Sequence, residues 1–284
     1  MTPTSRIVII VAVVVAAGLG GYLWWQHQHA TPVPAAAPVA APAPRPPAPP
    51  PPPPPPPAEP AIRHPVASGR EKLPGLDDSD GYIKNALLDL LGKKSALSFL
   101  VLDGFARRFV ATVNNLATDN AASQSWPVNR TGGRFEVDAP AGSGVISSQN
   151  AARYRPFVDF VAGVDSRRAV SLYVRLYPLF QRAYEDLGFP GKYFNDRVIE
   201  VIDNLLATPD VAGPIKVKTL TADGAPAAPG PGRLYVYEDP ALESATVGQK
   251  ILLRVGPDNA RTLKAKLRDV RERLLQNGGG TAPR

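Results

Sequence analysis

Nine consecutive prolines, Pro49 to Pro57, close a stretch that is almost entirely Pro and Ala from Thr31 onward. Proline fixes φ and lacks an amide hydrogen, so this stretch is excluded from helices and sheet interiors and is predicted to run as a polyproline II rod. At about 3.1 Å per residue, roughly thirty residues reach on the order of 90 Å. The chain has 33 prolines in 284 residues, most of them before position 61. Any packed core must therefore follow the rod.

Ahead of the rod, Ile7 to Trp25 is apolar without one ionisable side chain. As a helix rising about 1.5 Å per residue it spans roughly 28 Å, which matches a hydrocarbon core of about 30 Å. Arg6 precedes it, and Tyr22, Trp24 and Trp25 form an interfacial belt at its far end. Basic residues favour the cytoplasmic side, so the remainder of the chain is expected outside. A cleaved signal peptide would need a shorter core and a small-x-small site, which Gln26-His27-Gln28-His29-Ala30 does not supply. Ala12, Ala16 and Gly20 recur at the spacing that lets membrane helices approach closely, a candidate homodimer face. The expected layout is a cytoplasmic start over 1–6, a transmembrane helix over 7–25, a Pro/Ala-rich stalk over 26–72, a globular domain over 73–276 and a tail over 277–284.

Beyond Leu73 the periodicity is mainly helical. Asp77-Asp78-Ser79-Asp80 offers capping oxygens to a helix carrying Ile83, Leu87, Leu90 and Leu91, which Gly92 stops. Asp103 is placed to cap a helix with the stripe Phe105, Phe109, Val113 and Leu116. Residues 121–148 are polar and glycine-rich, with one short strand expected at Arg134 to Val137. Helices follow from Asn150 to Gly163, from Asp165 to Gly188 with Pro178 inside, and from an Asn195 cap through Val198, Ile202 and Leu205. Ile215 to Leu220 and Arg233 to Tyr237 alternate as two strands of a hairpin. Asp239-Pro240 opens a helical turn, Gln249 to Val255 is helical, and after Gly256-Pro257 a last helix runs from Asp258 to Gln276. The fold class read from this pattern is a mainly α domain with a small antiparallel β hairpin, preceded by one transmembrane helix and a polyproline linker.

Four stretches carry a family likeness. They are Leu-Pro-Gly-Leu-Asp-Asp-Ser-Asp from Leu73, Arg-Arg-Phe-Val-Ala-Thr-Val-Asn-Asn-Leu from Arg107, Tyr-Val-Arg-Leu-Tyr-Pro-Leu-Phe-Gln-Arg-Ala-Tyr from Tyr173, and Gly-Gln-Lys-Ile-Leu-Leu-Arg-Val-Gly-Pro-Asp-Asn-Ala from Gly248. Together they resemble the bacterial domain of unknown function 3014, over roughly Leu73 to Val270. The resemblance implies a Gram-negative inner-membrane protein facing the periplasm, and it brings no catalytic residues with it.

Composition narrows the chemistry further. There is no cysteine, and the three histidines, His27, His29 and His64, all precede the expected domain. Thiolate metal sites, cysteine nucleophiles and imidazole acid/base pairs are therefore unavailable to it. No cofactor, metal or catalytic residue is assigned. Asp77, Asp78 and Asp80 resemble a fragment of a calcium loop, but the position of its terminal Glu is Leu88, and helix capping accounts for the acids. Glu185, Asp186, Glu200 and Asp203 are the nearest approach to a carboxylate pair for glycoside hydrolysis, but Glu185 and Asp186 face different sides of one helix, and ordinary solvated charge explains them.

Two features suggest a partner surface. Tyr173, Tyr177, Tyr184 and Tyr193 belong to an aromatic-rich segment that can line a glycan or peptide groove, or simply fill the core. The net charge of +7 is concentrated late, with nine Lys/Arg against four Asp/Glu over 241–284. Arg261, Lys264 and Arg268 on the last helix are the named candidates from this group for acidic partners or peptidoglycan carboxylates. Arg107, Arg108, Arg175 and Arg254 sit beside apolar stripes and are expected to pair with Asp203 or to cap helix ends, structural salt bridging being the default. The reading is a non-enzymatic inner-membrane scaffold whose periplasmic domain binds another envelope protein. The alternative is a peptidoglycan or glycan binder, with a carboxylate-dependent hydrolase as its catalytic form. Nucleic acid is not an expected partner in that compartment. An arm coupling a proton gradient to the outer membrane would need polar groups in the membrane helix, and Ile7 to Trp25 has none.

Overall fold

Ser79 and Gly92 bound the first α-helix, and each does so for a different physical reason. In the computed structural model, which describes residues 61–67, 71–119, 125–138, 143–220 and 234–278, a 3₁₀ turn over Leu76–Asp78 leads into α1, Asp80–Leu91. Ser79 occupies the cap position, but its hydroxyl donates back to the Leu76 carbonyl at 2.7 Å. Gly92 ends the helix at φ 77°, a left-handed backbone favoured by the lack of a Cβ. The expected membrane helix over 7–25, its Ala12, Ala16 and Gly20 face, and the stalk up to residue 60 lie outside the described residues. Among the described residues no helix is long and apolar enough to cross a membrane.

The remaining elements follow as α2 (Lys93–Phe99), α3 (Phe105–Leu116), β1 (Val137–Asp138), β2 (Ser143–Ile146), α4 (Gln149–Gly163), α5 (Ser166–Asp186) and α6 (Phe194–Leu206). Then come β3 (Lys216–Leu220), β4 (Leu234–Tyr237), α7 (Pro240–Glu243), α8 (Val247–Arg254) and α9 (Pro257–Gly278). Asp165 caps α5 as expected, its carboxylate accepting the Arg168 amide at 2.8 Å, and α5 continues through Pro178. Asp239 caps α7 in the same manner. Thr246 and Gln249 form a reciprocal capping box at the start of α8. Asp103 does not cap α3. Gly104, at φ 63°, holds that position, and its amide donates to the Asp80 carboxylate on α1 at 2.9 Å.

The hairpin expected from alternation is present, pairing Val217 with Tyr237 and Leu220 with Leu234. It is half of a four-stranded antiparallel sheet in the order β1-β2-β3-β4. Val137 pairs with Ile146, and Ser143 with Lys218, so the excursion over 121–148 supplies two strands where one was expected. The fold is mainly helical with a small antiparallel sheet to one side.

The principal core joins α1, α3, α5 and α6, with the distal half of α9 against them. Phe194, Ile83 and Val110 are wholly buried there, and Leu176 is nearly so. Fully burying a side chain of this size stabilises by about 1.5–3 kcal/mol relative to exposure. Val217, Tyr237, Leu242 and Leu253 form a second core beneath the sheet. Gly248 of α8 sits so close to two helices that a Cβ there would lie 2.4 Å from Leu205 Cδ2 and 2.9 Å from the Leu116 carbonyl oxygen.

Residues 61–67 form a strap on the domain, so the expected stalk boundary at residue 72 moves back. The Arg63 and His64 amides donate to the Asp196 carboxylate at 3.1 and 2.7 Å. Asn195 Nδ2 donates to the His64 carbonyl at 2.9 Å, and the Val66 amide donates to the Tyr193 hydroxyl at 3.3 Å. Val66 is buried in the principal core. An extended chain has unpaired amides to offer, and the first turn of α6 supplies acceptors for them.

Candidate functional site

The aromatic segment lies inside the molecule. Tyr177 and Tyr184 are 2% and 3% exposed, while Tyr173 and Tyr193 are partly buried. Tyr173 stacks on Phe180 at 5.7 Å between ring centres, and Tyr184 stacks on Phe189 at 4.7 Å. Their faces are occupied by neighbouring rings, so no open aromatic groove forms among the four.

Their hydroxyls complete the start of α6. Asn195, expected to cap that helix, is its second residue, and the cap residue Tyr193 makes no side-chain cap bond. The Phe194 amide donates to Gln181 Oε1 at 2.8 Å, and the Asn195 amide donates to the Tyr177 hydroxyl at 3.3 Å. Tyr173 donates to Asn195 Oδ1 at 3.0 Å, turning that side chain toward the strap. Helix α5 thus satisfies amides that α6 leaves open. Burial pushes the phenols of Tyr173 and Tyr177 well above their ordinary range.

The carboxylates weighed as an acid/base pair are each engaged by a basic side chain. Asp186 pairs with Arg182 at 3.1 Å, and Glu185 lies 3.9 Å from the same guanidinium. Glu200 pairs with Arg197 at 2.8 Å. Asp203 receives two hydrogen bonds from Arg271, at 2.6 and 3.1 Å, in place of the arginines expected to reach it. Arg107 pairs with Asp77, Arg175 lies over the Tyr82 ring, and Arg254 lies over Tyr237 and Phe135. Among the described residues no group of three metal-ligating side chains converges.

The basic stripe of α9 is largely engaged within the molecule. Lys266 donates to the Val164 carbonyl at 2.6 Å, and Arg273 pairs with Asp269 at 2.7 Å, one turn earlier on the same helix. Lys264 departs furthest from a solvated cation, with its side chain 5% exposed. Its ammonium donates to the Thr208 carbonyl at 2.6 Å and to Asp210 at 2.8 Å. Hydrogen bonding and charge from Lys264 hold the Asp210 carboxyl below the usual carboxylate range, with Arg268 and Arg261 adding to the field.

Lys264 and Arg261 stand in the wall of a cleft of about 930 Å³. The sheet contributes Val145 and Ile146, the segment after α6 contributes residues 208–215, and α8 and α9 close the other side. Gly256, at φ 91°, turns the chain between those two helices so near α4 that a Cβ would come within 2.9 Å of Ala151 Cβ. Among the described residues lining the cleft, none is aromatic; the apolar part is aliphatic, and Asp138, Asp210, Asp258, Arg254, Arg261 and Lys264 carry its charges. Periodicity identifies Arg261 and Lys264 as basic positions on α9. What faces them comes from residues on the order of fifty positions earlier, which spacing alone does not reveal.

A family model described as Protein of unknown function (DUF3014) matches residues 105–271. No curated protein and no solved structure compared with the chain matches it.

Proposed function

The chain belongs to the DUF3014 family, whose match takes in α3 through most of α9, and on that premise we propose that it is a non-enzymatic, membrane-anchored scaffold of the bacterial envelope whose domain binds another protein through the cleft. The observation that carries this reading is the cleft itself. About 930 Å³ of space with an aliphatic floor and charged walls has the size and character of a recognition site. Polypeptide is favoured over glycan because sugar rings are commonly bound against aromatic faces, and the tyrosines that suggested such a platform are packed among themselves. Engagement of Asp186, Glu200 and Asp203 by arginines supports a binding role over carboxylate catalysis. The apolar run over 7–25 and the polyproline rod support an anchor and a spacer that carry the domain away from the bilayer.

Photo-crosslinking from Ala212 and Asp258 of the full chain in intact cells tests this. A discrete adduct with one envelope protein is expected from these cleft positions and not from Lys84 on the far helix α1. Blank lanes at every cleft position, or equal labelling at Lys84, would remove the cleft as the recognition surface.

A further inference from the structure

The strap over residues 61–67 is held by the Val66 plug and four hydrogen bonds, and all four use its backbone. Ile62 is 53% exposed, and Arg63, Pro65 and Ala67 are exposed with it. Upstream, the chain back to Thr31 is almost entirely Pro and Ala, with no apolar stripe to pack. Downstream, the Tyr82 hydroxyl of α1 donates to Glu71 at 2.6 Å, and Leu73 packs against the principal core. The strap is therefore a terminal arm that can part from the domain upstream of Glu71 while α1 stays seated.

The groove that receives the arm is built without it. Tyr173 on α5 holds the Asn195 side chain through Oδ1, Tyr177 packs on the Tyr193 ring at 5.4 Å, and Asp196 belongs to the first turn of α6. An empty groove is nonetheless disfavoured. Withdrawal of Val66 leaves a void in the core, and withdrawal of the His64 carbonyl leaves the Nδ2 amide of Asn195, a residue 1% exposed, without that acceptor. A filling must supply two successive amides to Asp196, a carbonyl to Asn195 and, two residues on, a Val side chain whose amide meets Tyr193. Residues 61–67 meet all of these, and every copy of the chain carries them.

We propose that the groove at the start of α6 receives the strap of a second copy, so that two chains exchange straps and form a dimer. Docking within and between chains makes the same contacts, so the balance turns on how near a second copy lies. Copies inserted side by side through residues 7–25 meet at a raised effective concentration, which favours exchange. That last step rests on the membrane-anchored reading; the groove itself shares no residue with the cleft.

The test uses purified full chains co-inserted in phosphatidylcholine vesicles, with vesicle flotation reporting insertion separately. One chain, Val66→Asp, loses the plug and keeps the groove. The other, Asp196→Ala, keeps the strap and loses the carboxylate of the groove; it is isotope-labelled and carries a photo-crosslinking benzophenone side chain in place of the exposed Ile62. Adducts are mapped by mass spectrometry. Adducts joining the labelled strap to α6 of the unlabelled chain are expected, about tenfold more frequent than when the crosslinker sits on the Val66→Asp chain, whose strap would bring a carboxylate into the core. Should either variant fail to fold, labelled and unlabelled wild-type chains bearing the crosslinker decide in its place, and mixed adducts on α6 should rise with protein density in the vesicles. Strap adducts confined to single chains overturn the proposal, as do mixed adducts away from α6 or equally frequent ones from the Val66→Asp chain. Chains that do not float refute the anchor alone, and the same mixtures in solution at raised concentration then test the strap.

Discussion

The backbone amide of His64 donates to the carboxylate of Asp196 across 2.7 Å, joining two parts of the chain 132 residues apart. The same carboxylate accepts the Arg63 amide, so one side chain holds two successive peptide groups of the strap. Hydrogen bonds to a charged acceptor contribute about 1.5–3 kcal/mol each, less where water competes.

Asp196→Ala is expected to release the strap while leaving the helices folded. Hydrogen exchange at Arg63, His64 and Val66 should accelerate, and global stability should fall by about 1–2 kcal/mol. Unchanged exchange at those three amides would show that the Val66 plug and the bonds with Asn195 and Tyr193 hold the strap without the Asp196 carboxylate.

Gly248→Ala sets two effects against each other. Helix propensity favours alanine by about 1 kcal/mol. The new methyl would meet the Leu116 carbonyl oxygen at 2.9 Å as well as Leu205, and backbone yields less readily than a side chain. The clash is expected to win, with a net loss of about 1–3 kcal/mol in urea denaturation. A stabilised variant would mean that α8 can slide away from α3 and α6 without cost.

Lys264→Met keeps the apolar stem and removes the ammonium, leaving the Thr208 carbonyl without its donor. Thr208 is 4% exposed, so about 1–3 kcal/mol should be lost. Asp210→Ala is the more damaging change, because it leaves a buried cation without its carboxylate. The reverse order in a denaturation series would place the ammonium in contact with solvent.

Stability should fall at both ends of the pH scale, for opposite reasons. Asp165, Asp210 and Asp269 have folded pKa values lowered chiefly by hydrogen bonds from the Arg168 amide, Lys264 and Ser166 respectively. Their contribution is complete above the unfolded carboxylate value of about 4 and is lost as pH falls through the lower folded values. Tyr173 and Tyr177 are raised by burial. Their contribution is complete below the unfolded phenol value of about 10 and declines as pH rises above it, because only the unfolded chain ionises readily. Absorbance titration at alkaline pH should show at least two phenols that ionise only when the fold opens; smooth titration of every tyrosine in the folded protein would contradict their burial.

Helical spacing was informative because most helices here are amphipathic and bounded by Gly, Pro or Asp. The inward set Leu263, Leu267, Val270 and Leu274 on α9 and the cap at Asp165 follow from local pattern alone. Strands β1 and β2 did not, since two and four residues are too short to establish an alternation. The expected cap at Asn195 does not form, because its amide is satisfied from α5, a contact invisible to residues near it in sequence. Lys264 carried a signal that could have been used: it follows Ala260 by four and precedes Leu267 by three, which places it in the apolar stripe. Its partners Thr208 and Asp210, like the strap on Asp196, depend on long-range packing that periodicity does not encode.

The strap also determines how the fold carries load. Four hydrogen bonds and the Val66 plug stand between residue 61 and the rest of the domain. A tug arriving from the amino-terminal side is therefore taken up in shear at the start of α6, in the middle of the core, before α1 can be peeled away.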